Sequence, residues 1–160
     1  MLNVILPMAG YGQRFRDAGY DQEKPLIEVG GRTLLQWSLN SLPAEVSLLP
    51  VIRKDQWSLV DAAAVRGWTP VVLPGPTQGA ALSVLAAAVG LPSDEPVLVM
   101  NCDQWFRCDL EKVLAQAARE NWDGFILTFS GTGPAWSYAV TNGTDRVVWV
   151  VEKKPVSEHA

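Results

Sequence analysis

Five short segments carry the residue types that handle phosphate and divalent metal. Gly10, Gly12 and Arg14 lie in MAGYGQRF, directly after an apolar run. Glycines let main-chain amides approach a phosphate chain, and arginine adds a planar, permanently charged fork suited to phosphate oxygens. Lys24 precedes Pro25, and a pre-proline residue is expected to be held extended, which suits a cation that must be aimed. Thr77, Gln78 and Gly79 open an Ala/Leu-rich helix, where Thr77 is a candidate cap and Gln78 a donor or acceptor for a base edge. Asp103 follows the apolar strand Val97–Met100, and a carboxylate there is a natural ligand for a hard cation such as Mg²⁺. Glu152 and Lys153 end the last apolar run, an acceptor for hydroxyls beside a cation for a phosphate. Each segment also has a plain structural account: a strand-to-helix turn, a solvated lysine, a capped helix, an Asx turn and a charged strand end.

Two familiar phosphate motifs are absent. A P-loop requires Gly-Lys-Ser/Thr at the end of the glycine loop. The dinucleotide fingerprint requires a third glycine where Phe15 stands. A dehydrogenase reading is weakened accordingly.

The elements that must position these groups follow from periodicity and punctuation. Strands are expected at Leu2–Pro7, Leu48–Ile52, Thr69–Leu73, Val97–Met100 and Phe125–Phe129, with a final pair at Ser137–Thr141 and Val147–Val151. A polar glycine-rich loop runs from Met8 to about Glu23. Helices are expected at Arg32–Asn40, Asp55–Arg66, Gly79–Val89 and Leu110–Glu120, with Gly67 and Gly90 as stops and Asp109 as a cap. Strands alternating with helices imply right-handed βαβ units and a mostly parallel sheet, with the last pair antiparallel. In such sheets ligands gather beyond the carboxyl ends of the strands, where Arg14, Lys24, Gln78, Asp103, Glu152 and Lys153 all fall. Trp136 and Tyr138 read as packing residues at a strand entry.

Bulk properties narrow the function classes. The 160 residues suit one domain, and 48% hydrophobic against 19% charged residues is enough for a core. A net charge of −4 excludes a general attraction to nucleic acid or an anionic membrane, so a phosphate ligand must be held by a local cluster. Two cysteines, Cys102 and Cys108, are too few for a disulfide framework, and the single His159 excludes a histidine-rich metal site. Met1–Pro7 lacks the basic start and length of a signal peptide, and no run approaches the roughly 20 apolar residues of a membrane span. A cytoplasmic protein is the expectation, and a homo-oligomer is compatible with everything above.

Taken in order, MAGYGQRF, Lys24-Pro25, PTQGAALSV, NCDQ and VEKKP resemble the nucleotidyltransferases that activate sugar phosphates, choline phosphate and related alcohol phosphates. The likeness covers nearly the whole chain and is closest to bacterial members that supply capsule or lipopolysaccharide precursors. It implies a Rossmann-like three-layer α/β/α sandwich over residues 1–160, with a mostly parallel mixed sheet. It also implies roles: Ala9, Gly10 and Gly12 cradling the nucleotide, Arg14 on the β- and γ-phosphates and Lys24 at the reacting centre. Gln78 and Gly79 would lie near the base, Asp103 on Mg²⁺, Glu152 on acceptor hydroxyls and Lys153 on the acceptor phosphate. The implied substrates are a nucleoside triphosphate, CTP or UTP before others, and a phosphorylated small molecule. The family continues beyond this point with a second acidic metal ligand and the rest of the acceptor pocket. The short C-terminus therefore leaves a rival expectation, a nucleotide-binding module of the same fold with impaired catalysis.

Overall fold

The computed structural model describes residues 1–157, at 63–65 by backbone only; His159 lies outside the described residues. By their contacts the residues form two units, Met1–Glu111 and a second beginning at Lys112.

The first unit is built on a four-stranded parallel sheet. Its strands are β1 (Leu2–Pro7), β4 (Val46–Arg53), β5 (Val71–Leu73) and β6 (Val97–Val99), in the order β5-β4-β1-β6. Between β1 and β4 lies a small antiparallel ribbon of β2 (Glu28–Val29) and β3 (Arg32–Thr33). Successive side chains of a strand face opposite ways, so each strand feeds two cores. Val4, Leu6, Met8, Ile52 and Met100 meet Leu35 of α2 (Leu34–Leu39) and Leu59 of α3 (Trp57–Val65) on one face. Ile5, Leu49 and Val51 meet Val84, Ala87 and Ala88 of α4 (Ala80–Ala88) on the other. Helix, sheet, helix is the Rossmann-like layering expected from the apolar runs.

Boundaries move for local reasons. Thr33 caps α2 in a capping box, accepting from the Gln36 amide at 3.1 Å while its own amide donates to the Gln36 side chain at 2.8 Å. The expected helix from Arg32 therefore starts two residues later. Helix α3 starts at Trp57 rather than Asp55, because Asp55 and Gln56 are both bonded to Arg53. The polar stretch after β1 also contains a short helix, α1 (Gln13–Asp17), entered through Gly12.

In the second unit, β7 (Tyr138–Thr141) and β8 (Val147–Val151) form the expected antiparallel pair. Asn142 closes the turn, its side chain accepting from the Thr144 amide at 3.3 Å and hydroxyl at 2.7 Å. Helix α5 (Leu110–Arg119) leads into this unit. Phe125–Phe129, expected as a strand, is irregular, and Ile126, Leu127 and Phe129 are exposed. Its composition suits a strand, but among the described residues the strands that pair in this unit are β7 and β8. Tyr138 is buried and donates to the Gly133 carbonyl at 2.7 Å, while Trp136 meets the Phe129 ring edge-on, in keeping with packing roles.

Candidate active site

From β1 the chain steps outward to β4 and β5, then returns past β1 to β6. The reversal makes the carboxyl ends of β1 and β6 a topological switch point, the place where open α/β sheets hold ligands. Two loops leave there. The ladder runs one residue past each strand, Met8 N donating to Val51 O at 2.8 Å and Met100 N to Ile5 O at 3.1 Å. The loops beginning at Ala9 and Asn101 are therefore anchored side by side. A depression lined by Met1, Val46, Arg66 and Trp68 lies at the opposite, amino end of the strands.

In the first loop Met8 and Ala9 are buried, whereas Gly10, Tyr11 and Arg14 are exposed. Gly12 has φ 62° and ψ 31°, a left-handed conformation that costs a side-chain-bearing residue about 1–2 kcal/mol. A Cβ there would meet the Lys24 Cβ at 3.4 Å, an ordinary contact, so it is the backbone conformation that calls for glycine. Arg14 points to solvent with no ion pair among the described residues, a cation available to a ligand.

Lys24 and Asp103 meet. The Lys24 Nζ lies 2.6 Å from Asp103 Oδ2 with both side chains about one-third exposed, and 5.7 Å from the centre of the Phe15 ring. Seventy-nine residues of sequence thus close onto one spot beside the glycine loop (103 − 24). The expectation that Lys24 is extended needs correction: it opens a 3₁₀ turn, Lys24–Leu26. Pro25 occupies the favoured second place of the overlapping turn from Lys24 to Ile27, whose carbonyl–amide bond is 3.3 Å, and its burial holds that turn in place.

Asp103 can serve a hard cation. Its carboxylate already faces a positive charge, and Mg²⁺ commonly takes one or two carboxylates together with substrate phosphates. Among the described residues no three His, Cys, Asp or Glu side chains cluster, so an all-protein metal cage is not what this donor set offers. Next to it, burial pushes the Cys102 thiol up to about 11, which makes it a core residue rather than a nucleophile. Cys108 is free and exposed.

Two residues that sequence reasoning missed hold the glycine loop. Arg53, only 1% exposed, donates from Nη1 to the carbonyls of Ala9 (2.8 Å) and Gly10 (2.9 Å) and from Nε to Asp55 (2.9 Å). Gln56, equally buried, donates to the Met8 carbonyl (3.2 Å) and to Glu23 (2.9 Å), and accepts from the Arg53 amide (2.7 Å). The available signal was a charged and polar cluster, Arg53 to Gln56, at the end of an apolar strand. Nothing in it says which backbone it will meet.

Thr77 does not cap α4; Gly79 occupies the cap position without a side-chain bond. The Thr77 hydroxyl donates to the Gly79 carbonyl at 2.9 Å and lies 2.8 Å from the Ser83 hydroxyl, so its single proton is committed and Ser83 is the donor of that pair. Gln78 and Gly79 are exposed at the start of the helix that covers β1. In the second unit Lys153 pairs with Glu152 at 2.9 Å, both exposed, and Lys153 has φ 53°. The hydrogen bond from Lys153, and then its charge, hold the Glu152 carboxyl below its ordinary value.

Known proteins share this architecture. A crystallised nucleoside-diphosphate-sugar pyrophosphorylase from Vibrio cholerae RC9 superposes with a TM-score of 0.75 at 28% identity, over 98% of this chain and 69% of that one. A Bacillus anthracis protein assigned as a glucose-1-phosphate thymidylyltransferase gives 0.82 at 17% identity, over 100% and 68%, a likeness of fold. The bifunctional enzyme IspD/IspF of Clavibacter michiganensis is 37% identical over 136 residues, 78% of this chain. The chain spans about a third of that relative's length (32%). Residues 4–152 match the MobA-like NTP transferase domain, and the chain belongs to that family.

Proposed function

We propose that the protein is a nucleotidyltransferase that moves a nucleoside monophosphate group from a triphosphate, CTP or UTP before others, to a phosphorylated small molecule such as a sugar phosphate. The observation that carries this reading is the contact of Lys24 with Asp103 beside the glycine loop, at the switch point of a parallel sheet. The family match runs across both units, which favours reading residues 1–160 as one catalytic domain. A cytoplasmic setting suits such substrates, and no helix among the described residues is long and apolar enough to cross a membrane.

An acceptor phosphate oxygen forms a bond to the α-phosphorus while the α–β bridging bond breaks and pyrophosphate leaves. A phosphate monoester has its second pKa near about 6 and is largely dianionic at neutral pH, so no general base is required. Positioning and charge stabilisation carry such transfers. The loop at Ala9, Gly10 and Gly12 receives the triphosphate, Arg14 neutralises its outer phosphates, and Lys24 leaves Asp103 to meet the reacting phosphates. Asp103 would hold Mg²⁺, which when bound offsets the charge building on the departing pyrophosphate. Gln78 and Gly79 face the base, and Glu152 and Lys153 take the acceptor's hydroxyls and phosphate.

The test is a pyrophosphate-release screen of four triphosphates against phosphorylated sugars and alcohols, with and without Mg²⁺. Metal-dependent release is expected for at least one pair, and Asp103→Ala should lower it by about 100-fold or more, since loss of an outer-shell partner alone typically costs about 10- to 100-fold. Folded protein with no release on any pair defeats the reading. The Lys24–Asp103 contact supports one rival, a binding module in which the lysine keeps the metal away. That rival gives triphosphate binding without pyrophosphate.

A further inference from the structure

The glycine loop is usually credited with its own conformation, yet here its shape is imposed from behind. Three consecutive carbonyls, of Met8, Ala9 and Gly10, all accept hydrogen bonds from the side chains of Arg53 and Gln56. In a trans peptide the C=O of one residue and the N–H of the next point in opposite directions, and the chain contains no cis bond among the described residues. Fixing those three carbonyls therefore turns the amides of Ala9, Gly10 and Tyr11 the other way. None of these amides donates to an acceptor among the described residues. Successive amides aimed to one side make an anion-binding concavity.

The same two side chains also reach the segment that carries Lys24. Glu23 accepts from Gln56 at 2.9 Å and lies 3.9 Å from Arg53 and 3.5 Å from Arg16. Lys24 is the next residue. Arg53 is nearly fully buried, with Asp55 on Nε and Nη2 and the Tyr11 ring 4.5 Å from its guanidinium carbon. A planar fork can serve two carbonyls and a carboxylate at once; a lysine ammonium cannot reproduce that fan.

We propose that Arg53 and Gln56 are positioning residues: by holding the Met8, Ala9 and Gly10 carbonyls they present three amides to the triphosphate, and through Glu23 they hold the segment that carries Lys24 beside the loop. This rests on the nucleotidyltransferase reading for the identity of the anion. It goes further in making the competence of the loop depend on two side chains from the end of β4.

The experiment uses the full chain with R53K and Q56M. R53K keeps a positive charge against Asp55 and Glu23, so neither carboxylate loses the cation at this position. Q56M keeps the volume and removes the bonds to Met8 and Glu23. Calorimetry measures affinity for inorganic tripolyphosphate, which has no base or sugar and so reads the cradle alone. Amide hydrogen exchange follows Ala9, Gly10 and Tyr11, and thermal melting checks the fold. Tripolyphosphate affinity is expected to fall about 10- to 100-fold in R53K, equivalent to about 1.4–2.8 kcal/mol, and by about 3- to 10-fold in Q56M. The triphosphate KM should rise in parallel, the acceptor KM should stay unchanged, and the three amides should gain less protection when tripolyphosphate is added. Should R53K fail to fold, Q56M makes the same comparison. Folded variants that bind tripolyphosphate as the wild type does overturn the positioning role and leave the nucleotidyltransferase reading standing. Wild-type protein that binds neither tripolyphosphate nor any triphosphate removes both.

Discussion

At the scale of single residues, charge partners decide which groups can act at neutral pH. The Glu152 carboxyl is held below its ordinary value by the hydrogen bond and charge of Lys153. Because its folded pKa lies below the unfolded one, the pair's contribution is present above the ordinary glutamate range. It is lost as pH falls through the lowered value. K153Q should move the Glu152 midpoint back up toward its ordinary value, followed by NMR titration of the side-chain carboxyl carbon. A midpoint that does not move would assign the shift to something other than Lys153. Asp55 behaves in the same sense, lowered first by its hydrogen bond from Arg53. Residue chemistry was readable early at Lys24 and Asp103, whose types and loop positions mark them. It was not readable at Arg53, since an arginine after a strand gives no sign that it will be buried against two carbonyls.

At the scale of elements, caps and turns set where the helices begin. Thr33 and Gln36 exchange side-chain and main-chain hydrogen bonds at the start of α2, the helix that packs Leu35 into the core under Leu6 and Met8. Thr33→Ala should cost about 1 kcal/mol in a denaturant titration, with no change in slope, since only the cap is lost. A loss below a few tenths would mean the β2–β3 ribbon holds the helix start by itself. Apolar runs located the four strands of the parallel sheet to within a few residues, but not the short β2–β3 ribbon, which carries no apolar run and includes Arg32, expected in a helix. They failed at Phe125–Phe129 because strand-like composition requires a hydrogen-bonding partner, and the ladder in that unit is made by β7 and β8.

For the whole molecule, the consequence of the proposed site is linkage. A triphosphate that binds only the folded state stabilises it by about 2.7 kcal/mol at 100 times its Kd. Calorimetric scans over a range of CTP and UTP concentrations should show a transition that climbs with the logarithm of concentration. A transition that stays fixed at millimolar nucleotide would contradict both the catalytic and the binding-module readings. The net charge of −4 predicts that this response is carried by a local cluster rather than by a diffuse field, so it should survive moderate salt better than surface steering would.

The amino-acid sequence by itself determined the layering, because apolar runs of strand length alternating with helices leave few ways to bury both faces of a sheet. It also determined the candidate phosphate and metal groups, because their chemistry is local to each segment. Only the tertiary structure decided that Lys24 lies on Asp103 and that Arg53 and Gln56 grip the glycine loop. These contacts join residues that are 79 and 44 positions apart for the first two pairs (103 − 24 and 53 − 9). Periodicity reports which face a residue takes; strand order and register settle which distant groups that face will meet.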